Sequence, residues 1–326
     1  MKGSSHDFGA ACKRHFLGRQ VPGIGLGLWL GLGLWLGLGL GLGQLGCGTI
    51  PADPVRVSDG DSAVEFVPEN TTLRLLTGER ELVRFPADAW QIGTVEQLDE
   101  RASLDPYWLE YGDEVLSPSE PADLRWHTVE TIAIVSATAT ELELALQLTD
   151  GQRASLRIAP SGPGRFAAVL LPEVRAERKV AFVRLRPRVD AQEAFYGLGG
   201  WADEVNQRGK VRPMQQEIDL LESKSNEMRV PVPLLLGTRG WGLFVESRRP
   251  GVFAVANKQP DLVETTFGTG EDSASGLRFH LLTAAEPIDL TARYYAITGA
   301  PQLPAPWALG PWIWRNENKD QAQVLD

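Results

Sequence analysis

The chain has 326 residues, of which 43% are hydrophobic and 23% charged, so it can bury the core of one large or two ordinary domains. Its formal net charge is −10, and an acidic surface repels the phosphate backbone, which excludes nucleic acid as a partner. The two cysteines and four histidines are too few and too dispersed for a zinc site, so no metal and no cofactor is predicted.

Residues 1–46 have the features of an export leader. Basic residues at positions 13, 14 and 19 precede a stretch without charge that runs to residue 52. Glycine and leucine alternate over residues 23–43, and this apolar run follows the basic region in the order that a signal peptide requires. The run is long enough to span a bilayer, but its glycines lower helix propensity. We therefore expect a cleaved signal rather than a permanent anchor.

The leader ends at Gln44-Leu45-Gly46-Cys47, which resembles a bacterial lipoprotein processing site. Cys47 is the residue that would carry the lipid, because a small residue precedes it. This resemblance predicts an exported lipoprotein of the bacterial cell envelope, held to the membrane by its lipid or its leader. Plain secretion, an uncleaved anchor and a misassigned start codon are the alternatives.

The body of the chain has the pattern of an antiparallel β-sandwich. After a linker at residues 47–60, strand-like segments arrive about every ten residues over 61–300. Over residues 141–148 every second residue is leucine, which predicts a strand with one buried face. Asp150-Gly151 follows and predicts a hairpin turn into a second strand at residues 154–158. Further strands are predicted at 129–135, 166–171, 180–186, 241–246, 252–256, 262–267 and 277–282. Since no crossover helices separate these strands, antiparallel pairing is expected.

One helix is predicted, at residues 288–298. Leu290, Tyr294 and Ile297 fall on one face of that helix. Pro287 precedes it and Gly299 is placed to terminate it.

Three motifs go beyond generic β structure. The first is F-Y-G-L-G-G-W at residues 195–201, followed by N-Q-R-G at 206–209. The second is V-P-V-P-L-L-L at 230–236, with G-W-G-L-F-V at 240–245 after it. The third is A-R-Y-Y-A-I-T-G-A-P-Q-L-P-A-P-W-A-L-G at 292–310.

In this order and spacing the motifs resemble glycoside hydrolase family 31, the α-glucosidases and α-xylosidases. The resemblance is clear from about residue 180 onward and rests on fold pattern alone back to about residue 61. It implies an all-β, galactose-mutarotase-like sandwich, followed at residues 301–326 by a proline-rich linker and the incomplete start of a (β/α)8 barrel. It also implies a carbohydrate partner, an α-glycoside hydrolysed with retention.

The same resemblance suggests residues that contact substrate. The glycines at 197, 199 and 200 are expected to adopt positive φ where the chain turns sharply, and the family's loop here approaches the mouth of the barrel. Trp201, Asp203, Asn206 and Arg208 are then candidates for stacking on a sugar and bonding its hydroxyls. Gly200 departs from the family's acidic residue, which weakens this interpretation. The alternative is a glycine-rich bend that binds no ligand.

Two later segments carry further expectations. Residues 210–229 are predicted to be a long polar loop, either solvated or facing substrate. The linker prolines at 301, 304 and 306 favour an extended connection, and residues 307–314 are predicted to form the first barrel strand. Trp312, Trp314 and Arg315 lie at its C-terminal end, where they would wall a sugar pocket or pack in the core.

No catalytic residue is assigned. The resemblance implies two aspartates about 5 Å apart on later barrel strands, and no acid in this sequence stands in that context. We therefore expect a truncated N-terminal portion of a retaining α-glycosidase, inactive alone, whose tail after residue 306 is disordered or packs on the sandwich. The alternatives are a non-catalytic carbohydrate-binding surface lipoprotein and a structural surface lipoprotein.

Overall fold

The computed structural model describes residues 53–98, 108–110, 117–119, 121–173, 177–201, 203–214, 230–269, 275–311, 320 and 322–323. These residues are almost entirely β structure. The first strands are β1 (Val55–Asp59), β2 (Ser62–Val67), β3 (Thr72–Thr77), β4 (Arg80–Phe85), β5 (Trp90–Val95), β6 (Trp108–Glu110), β7 (Ser117–Ser119), β8 (Arg125–Ala137), β9 (Leu142–Leu148) and β10 (Arg153–Gly162). The others are β11 (Arg165–Pro172), β12 (Lys179–Leu185), β13 (Phe195–Gly197), β14 (Val211–Pro213), β15 (Leu234–Gly237), β16 (Trp241–Val245), β17 (Gly251–Val255), β18 (Val263–Gly268) and β19 (Leu277–Thr283).

Antiparallel pairing joins thirteen of these strands in the order β13-β15-β16-β19-β11-β10-β9-β8-β5-β12-β18-β17-β14. The long strand β8 connects two halves of this sheet, because its first residues pair with β5 and its later residues pair with β9. Strands β1 to β4 form a separate four-stranded meander, and β6 pairs with β7. Isolated bridges from Arg84 to Arg188 and from Arg188 to Leu262 link the meander to the β18 region. The predicted antiparallel architecture is confirmed.

One continuous hydrophobic core lies between the strands. It takes side chains from the meander, such as Phe66 and Phe85, and from both halves of the large sheet, such as Trp90, Trp241 and Phe279. Each of these five aromatic residues is at most 1% exposed. Burial of such large apolar surfaces is the main favourable contribution to folding, so the meander and the thirteen-stranded sheet form a single β-sandwich.

Buried and exposed residues alternate in β9, as predicted, but not in the strands of the half of the sheet that contains β5 and β18. The four leucines of β9 at positions 142, 144, 146 and 148 are buried, while the residues between them are at least partly exposed. Strands β5 and β18, by contrast, are buried along their whole length. Among the polar side chains there, the buried Arg184 of β12 donates to Thr266 Oγ1 of β18 at 2.8 Å, while Thr265 Oγ1 and Trp90 Nε1 are buried without a hydrogen-bond partner.

The predicted hairpin and helix are also confirmed. Strands β9 and β10 pair across a turn in which Asp150 and Gly151 both have positive φ. Helix α1 spans Leu290–Thr298, whereas the sequence predicted a start at residue 288. The residues before it, Pro287–Asp289, form a single 3-10 turn. Leu290 is fully buried, and the partly buried Tyr294 and Ile297 pack against the same small cluster on the sheet. Gly299 ends the helix with φ 95°.

Two predicted boundaries were wrong. Strand β1 lies inside the expected linker 47–60, since Val57 is fully buried and the strand pairs along its length with β2. The expected barrel strand at 307–314 does not begin at residue 307, because Pro306–Leu309 forms a 3-10 turn with Trp307 72% exposed. The proline at the first position of that turn fixes a backbone φ that suits a 3-10 turn. A parallel barrel strand would instead need a neighbouring strand to pair with. The leader, Cys47, Trp312, Trp314 and Arg315 lie outside the described residues.

Candidate functional site

The candidate site is built around the glycine loop, defined as residues 198–210, which connects β13 to the strand β14. Gly197 and Gly199 have φ 95° and 99°, and the intervening Leu198 is also left-handed at 64°. A Cβ atom on Gly197 would stand 2.3 Å from the Leu234 carbonyl oxygen, so only glycine fits. The expectation of positive φ is confirmed for these two glycines and wrong for Gly200, whose surroundings are open.

Trp201 and Asp203 are held together by Arg212 of β14. The Arg212 guanidinium lies 4.2 Å from the Trp201 ring centroid and donates to Asp203 Oδ1 at 2.7 Å. Trp201 Nε1 donates to the Leu198 carbonyl at 2.9 Å, which fixes the ring against the loop. Lys210 Nζ lies 3.3 Å from the other Asp203 oxygen. The Trp201 ring and the charged groups of Arg212, Asp203 and Lys210 therefore hold the loop together.

These contacts keep Asp203 ionised. Burial alone would raise the pKa of its carboxyl, but hydrogen bonds from Arg212, from the Glu204 amide and from Lys210 outweigh that effect and lower the pKa to about 2. The Asp203 side chain nevertheless remains 46% exposed. A fixed, exposed carboxylate beside an indole ring can accept hydrogen bonds from ligand hydroxyl groups.

Asn206 and Arg208 make their hydrogen bonds to the protein backbone. Asn206 Oδ1 accepts from the amides of Phe195 and Arg208, both at 3.1 Å. The Arg208 guanidinium donates to the carbonyls of Glu193 at 2.6 Å, Pro260 at 2.9 Å and Asp190 at 2.9 Å. Five donors in a fixed fork suit such a convergence of carbonyls. The predicted substrate contact by these two residues stays a prediction, and their described contacts are structural.

Sequence reasoning missed Gln207, which stands at the centre of the loop. Its side chain is 2% exposed and uses both ends, accepting from Arg212 Nε at 2.7 Å and donating to the carbonyls of Glu204 and Val205. Its backbone amide donates to the Phe195 carbonyl at 2.8 Å. A polar residue between Asn206 and Arg208 gave no periodic signal, because its burial arises from the turn of the loop and not from a strand or helix face.

Glu193, just before β13, is a second buried group that the sequence did not indicate. It is 4% exposed and accepts from Trp241 Nε1 at 3.0 Å and from the Arg239 amide at 2.7 Å. A Cβ atom on Gly237 would stand 2.4 Å from Glu193 Oε1, so that glycine makes room for the carboxylate. Burial raises the pKa of Glu193, against the hydrogen bonds and the Arg239 charge, which lower it. Through these contacts Glu193 anchors the base of the glycine loop to the core.

The structure thus brings four of the predicted site residues onto one loop and leaves three undescribed. Trp201 and Asp203 share Arg212, while Asn206 and Arg208 bind the start of β13 and the residues before it. The predicted polar loop at 210–229 begins as strand β14 instead, and its residues 215–229 lie outside the described part.

Two other features concern the same described residues, a metal site and a membrane-spanning helix. Among these residues, no group of three or more His, Cys, Asp or Glu side chains is arranged to hold a metal ion. Within the same part of the chain, no helix combines the length and the apolar character that crossing a membrane requires.

Comparison with known proteins finds partial similarity to enzymes that act on sugars. An isomaltosyltransferase of Sporosarcina globispora is 27% identical over 139 residues, and the alpha-xylosidase XylQ of Lactiplantibacillus pentosus is 24% identical over 147 residues. The aligned segments cover 41% and 45% of this chain but span only 12% and 18% of those two proteins. No family model matches the sequence.

Among solved structures, a family 31 sulfoquinovosidase from E. rectale, in complex with an aza-sugar inhibitor, superposes on 71% of this chain and 33% of its own. Its TM-score is 0.48 and its sequence identity is 15%. The fold assignment therefore rests on the strand pairings described above. The resemblance to glycoside hydrolase family 31 that the motifs predicted is confirmed over part of the chain.

Proposed function

We propose that this sandwich is the N-terminal domain of a family 31 type enzyme that cleaves or transfers α-glycosides, and that its glycine loop contacts the carbohydrate. The observation that carries the proposal is the similarity over about 140 residues to an isomaltosyltransferase and an alpha-xylosidase, which are both named for α-glycoside chemistry. The resemblance to family 31 relates the chain to glycoside hydrolases in general. That the ligand is an α-glycoside, and that this domain contacts it through the glycine loop, are the parts that we propose.

The build of the glycine loop supports a contact role. Arg212 already holds the side chains of Trp201 and Asp203 in place, so these side chains would not have to become ordered when a sugar binds. Preorganisation of this kind reduces the entropy that binding must overcome. Val205 is 76% exposed at the same loop and adds an apolar contact. An indole ring, an ionised carboxylate and an apolar tip together match the mixed surface of a sugar ring.

Binding is tested by titrating the full chain with isomaltose and with α-xylosides while protein NMR or calorimetry is recorded. We expect weak binding that Trp201→Ala reduces at least tenfold and that Asp203→Asn reduces less. Trp307→Ala is the matched control, because Trp307 is exposed and lies outside the loop. Equal loss in the control, or unchanged binding by both loop variants with intact circular dichroism, would refute the contact role.

We also propose that, among the described residues of the glycine loop and its base, Asp203 and Glu193 do not act as a catalytic pair, because Arg212 holds Asp203 ionised and Glu193 is buried against Trp241. The expected result is no hydrolysis of a chromogenic α-glucoside or α-xyloside by this polypeptide. Turnover that survives Asp203→Asn and Glu193→Gln would leave the chemistry with other residues of the chain. Turnover lost in either variant would instead give that carboxylate a catalytic role.

A second candidate, a carbohydrate-binding lipoprotein of the cell envelope, is favoured by the leader and by Cys47. On this proposal the chain is exported and lipidated at Cys47. Metabolic labelling with a fatty acid should mark the chain, and Cys47→Ala should abolish the label while Cys12→Ala keeps it. Glycan-array binding then separates this function from a purely structural lipoprotein.

A further inference from the structure

The strand β8 contains a buried histidine at the point where the sheet divides. His127 is 2% exposed, and it is among the last residues of β8 that pair with β5 before the strand turns to β9. Its Nε2 lies 2.8 Å from Thr94 Oγ1 on β5. Its Nδ1 lies 3.3 Å from Asp150 Oδ2, without the alignment of a hydrogen bond, so Asp150 acts on the ring mainly as a charge.

The contacts of His127 favour one tautomer of its neutral ring. Nδ1 faces a carboxylate and therefore carries the proton of the neutral ring, which leaves Nε2 as an acceptor. Arg178 Nε donates to Thr94 Oγ1 at 3.0 Å, so the threonine hydroxyl can direct its own hydrogen at Nε2. A second proton on Nε2 would make it a donor, so the Thr94 hydroxyl would have to turn its own hydrogen away and accept from both Arg178 and the charged ring.

Arg178 is a clamp at this end of the sandwich. It donates to the Thr94 carbonyl at 2.8 Å and to the Asp123 carbonyl at 2.6 Å, and it lies 3.5 Å from the Glu96 carboxylate. The Glu96 amide in turn donates to Asp123 Oδ2 at 2.6 Å. The end of β5 is thereby tied to the residues just before β8, through an arginine that shares Thr94 with His127.

Two charged groups act on His127, Asp150 and Arg178, and two more carboxylates lie against Arg178. Asp150 belongs to the turn after β9, Arg178 precedes β12, and Glu96 and Asp123 flank the segment between β5 and β8. Burial lowers the pKa of His127, the Asp150 carboxylate opposes that effect, and the Arg178 guanidinium adds to it. A charged ring is thus disfavoured in the folded chain.

We propose that His127 is a proton-operated joint, whose protonation reverses the Thr94 hydrogen bond, sets a second cation beside Arg178 and releases the contacts of Arg178 that tie β5 to the residues before β8. With a neutral His127 ring, the Arg178 contacts between the end of β5 and the residues before β8 are kept. With a charged ring, these contacts open locally. The inference is independent of the proposed carbohydrate function, since none of its residues belongs to the glycine loop.

Hydrogen exchange of the full chain tests the joint. After correction for the intrinsic pH dependence of exchange, the protection factor of the Glu96 amide should fall as pH drops below about 6.5, by up to roughly tenfold per pH unit until the folded-state pKa is reached. Amides of β16, far along the sheet, should keep their protection. His127→Gln should remove the fall, because its amide oxygen can still accept from Thr94 and it cannot be charged. His280→Gln, the control at another buried histidine, should leave the fall in place.

A second measurement needs no substitution. The NMR titration of the His127 ring in the unaltered chain should have its midpoint below about 6.5, the ordinary pKa of histidine, and the amide shift of Glu96 should follow the same midpoint. The proposal is overturned if the ring titrates at or above its unfolded value, if Glu96 protection does not depend on pH, or if His127→Gln keeps the wild-type dependence.

Discussion

At the scale of single residues, the base of the glycine loop depends on a charged carboxylate kept out of water. Glu193 has two donors, Trp241 Nε1 and the Arg239 amide, and both point at its oxygens. Because these groups are donors, an acceptor is required there but a negative charge is not. The raised pKa of Glu193 records the cost of burying that charge.

Replacing Glu193 by glutamine should therefore make stability less dependent on pH. A carboxyl whose folded-state pKa is raised loses stability as pH rises from its unfolded value of about 4.3 through the folded value. The free energy of unfolding in urea, measured from about pH 4.5 to about pH 8, should contain this fall in the wild type and lack it in Glu193→Gln. Glu193→Ala leaves the buried indole N–H without an acceptor and should cost about 1–3 kcal/mol at every pH. Parallel pH profiles for wild type and Glu193→Gln would refute this account.

Arg208 offers a second prediction at this scale. Its guanidinium joins three backbone carbonyls from two segments, Asp190 and Glu193 on one and Pro260 on the other, so Arg208→Ala should destabilise the sandwich by roughly 2–3 kcal/mol. Arg157→Ala is the matched control, since Arg157 makes ion pairs on the surface with 60% of its side chain exposed, and it should cost less than about 1 kcal/mol. Chemical denaturation measures both. Similar costs would show that the Arg208 bonds add nothing beyond a surface ion pair.

At the scale of elements, helix α1 is attached to the sheet by a small apolar cluster. Leu290 is fully buried there, and the ring of Tyr294 meets that of Phe244 edge-on at 5.0 Å. The helix has nine residues, which is too short to be stable in water alone, so this packing maintains it. The exposed linker that follows starts from a helix whose position depends on a few side chains.

Leu290→Ala should release the helix more than any change on its outer face. The expected cost is about 2–5 kcal/mol for the cavity and lost burial, together with loss of amide protection over Leu290–Thr298. Ile288→Ala, at a side chain 74% exposed beside the helix, should cost no more than about 0.5 kcal/mol. Hydrogen exchange and urea unfolding report both quantities. Retained protection in Leu290→Ala would mean that other contacts hold the helix.

At the scale of the whole molecule, most of the described strands share one main hydrophobic core. The meander and both halves of the large sheet contribute to one core, and β8 takes part in both halves. Because these strands share that core, partial unfolding of any one group would expose much of it to water.

Unfolding of the sandwich should therefore be a single transition. Urea curves followed by tryptophan fluorescence and by far-ultraviolet circular dichroism should coincide, with the same midpoint and slope. The control is Ile132→Ala, which removes a buried side chain of β8 and should shift both curves together. Two separated transitions would show that the meander or one half of the sheet folds on its own.

The β9–β10 hairpin, the helix and the all-β class could be predicted from the sequence alone. Alternating leucines over residues 142–148, turn residues at 150–151 and a proline and a glycine around the helix each act through local geometry, so they could be recognised without a structure. The glycine motif likewise marked the loop, because Gly197 and Gly199 meet a local steric demand.

The buried polar groups that hold the loop in place could be identified only in the folded structure. Glu193, Gln207 and Arg212 share no periodic pattern in the sequence but are each buried, and burial is a property of the packed chain. The same holds for β1 within the expected linker, which becomes a strand because β2 offers it a partner. Local sequence specifies conformational preference, whereas hydrogen-bond partners and desolvated charges depend on residues brought together from across the fold.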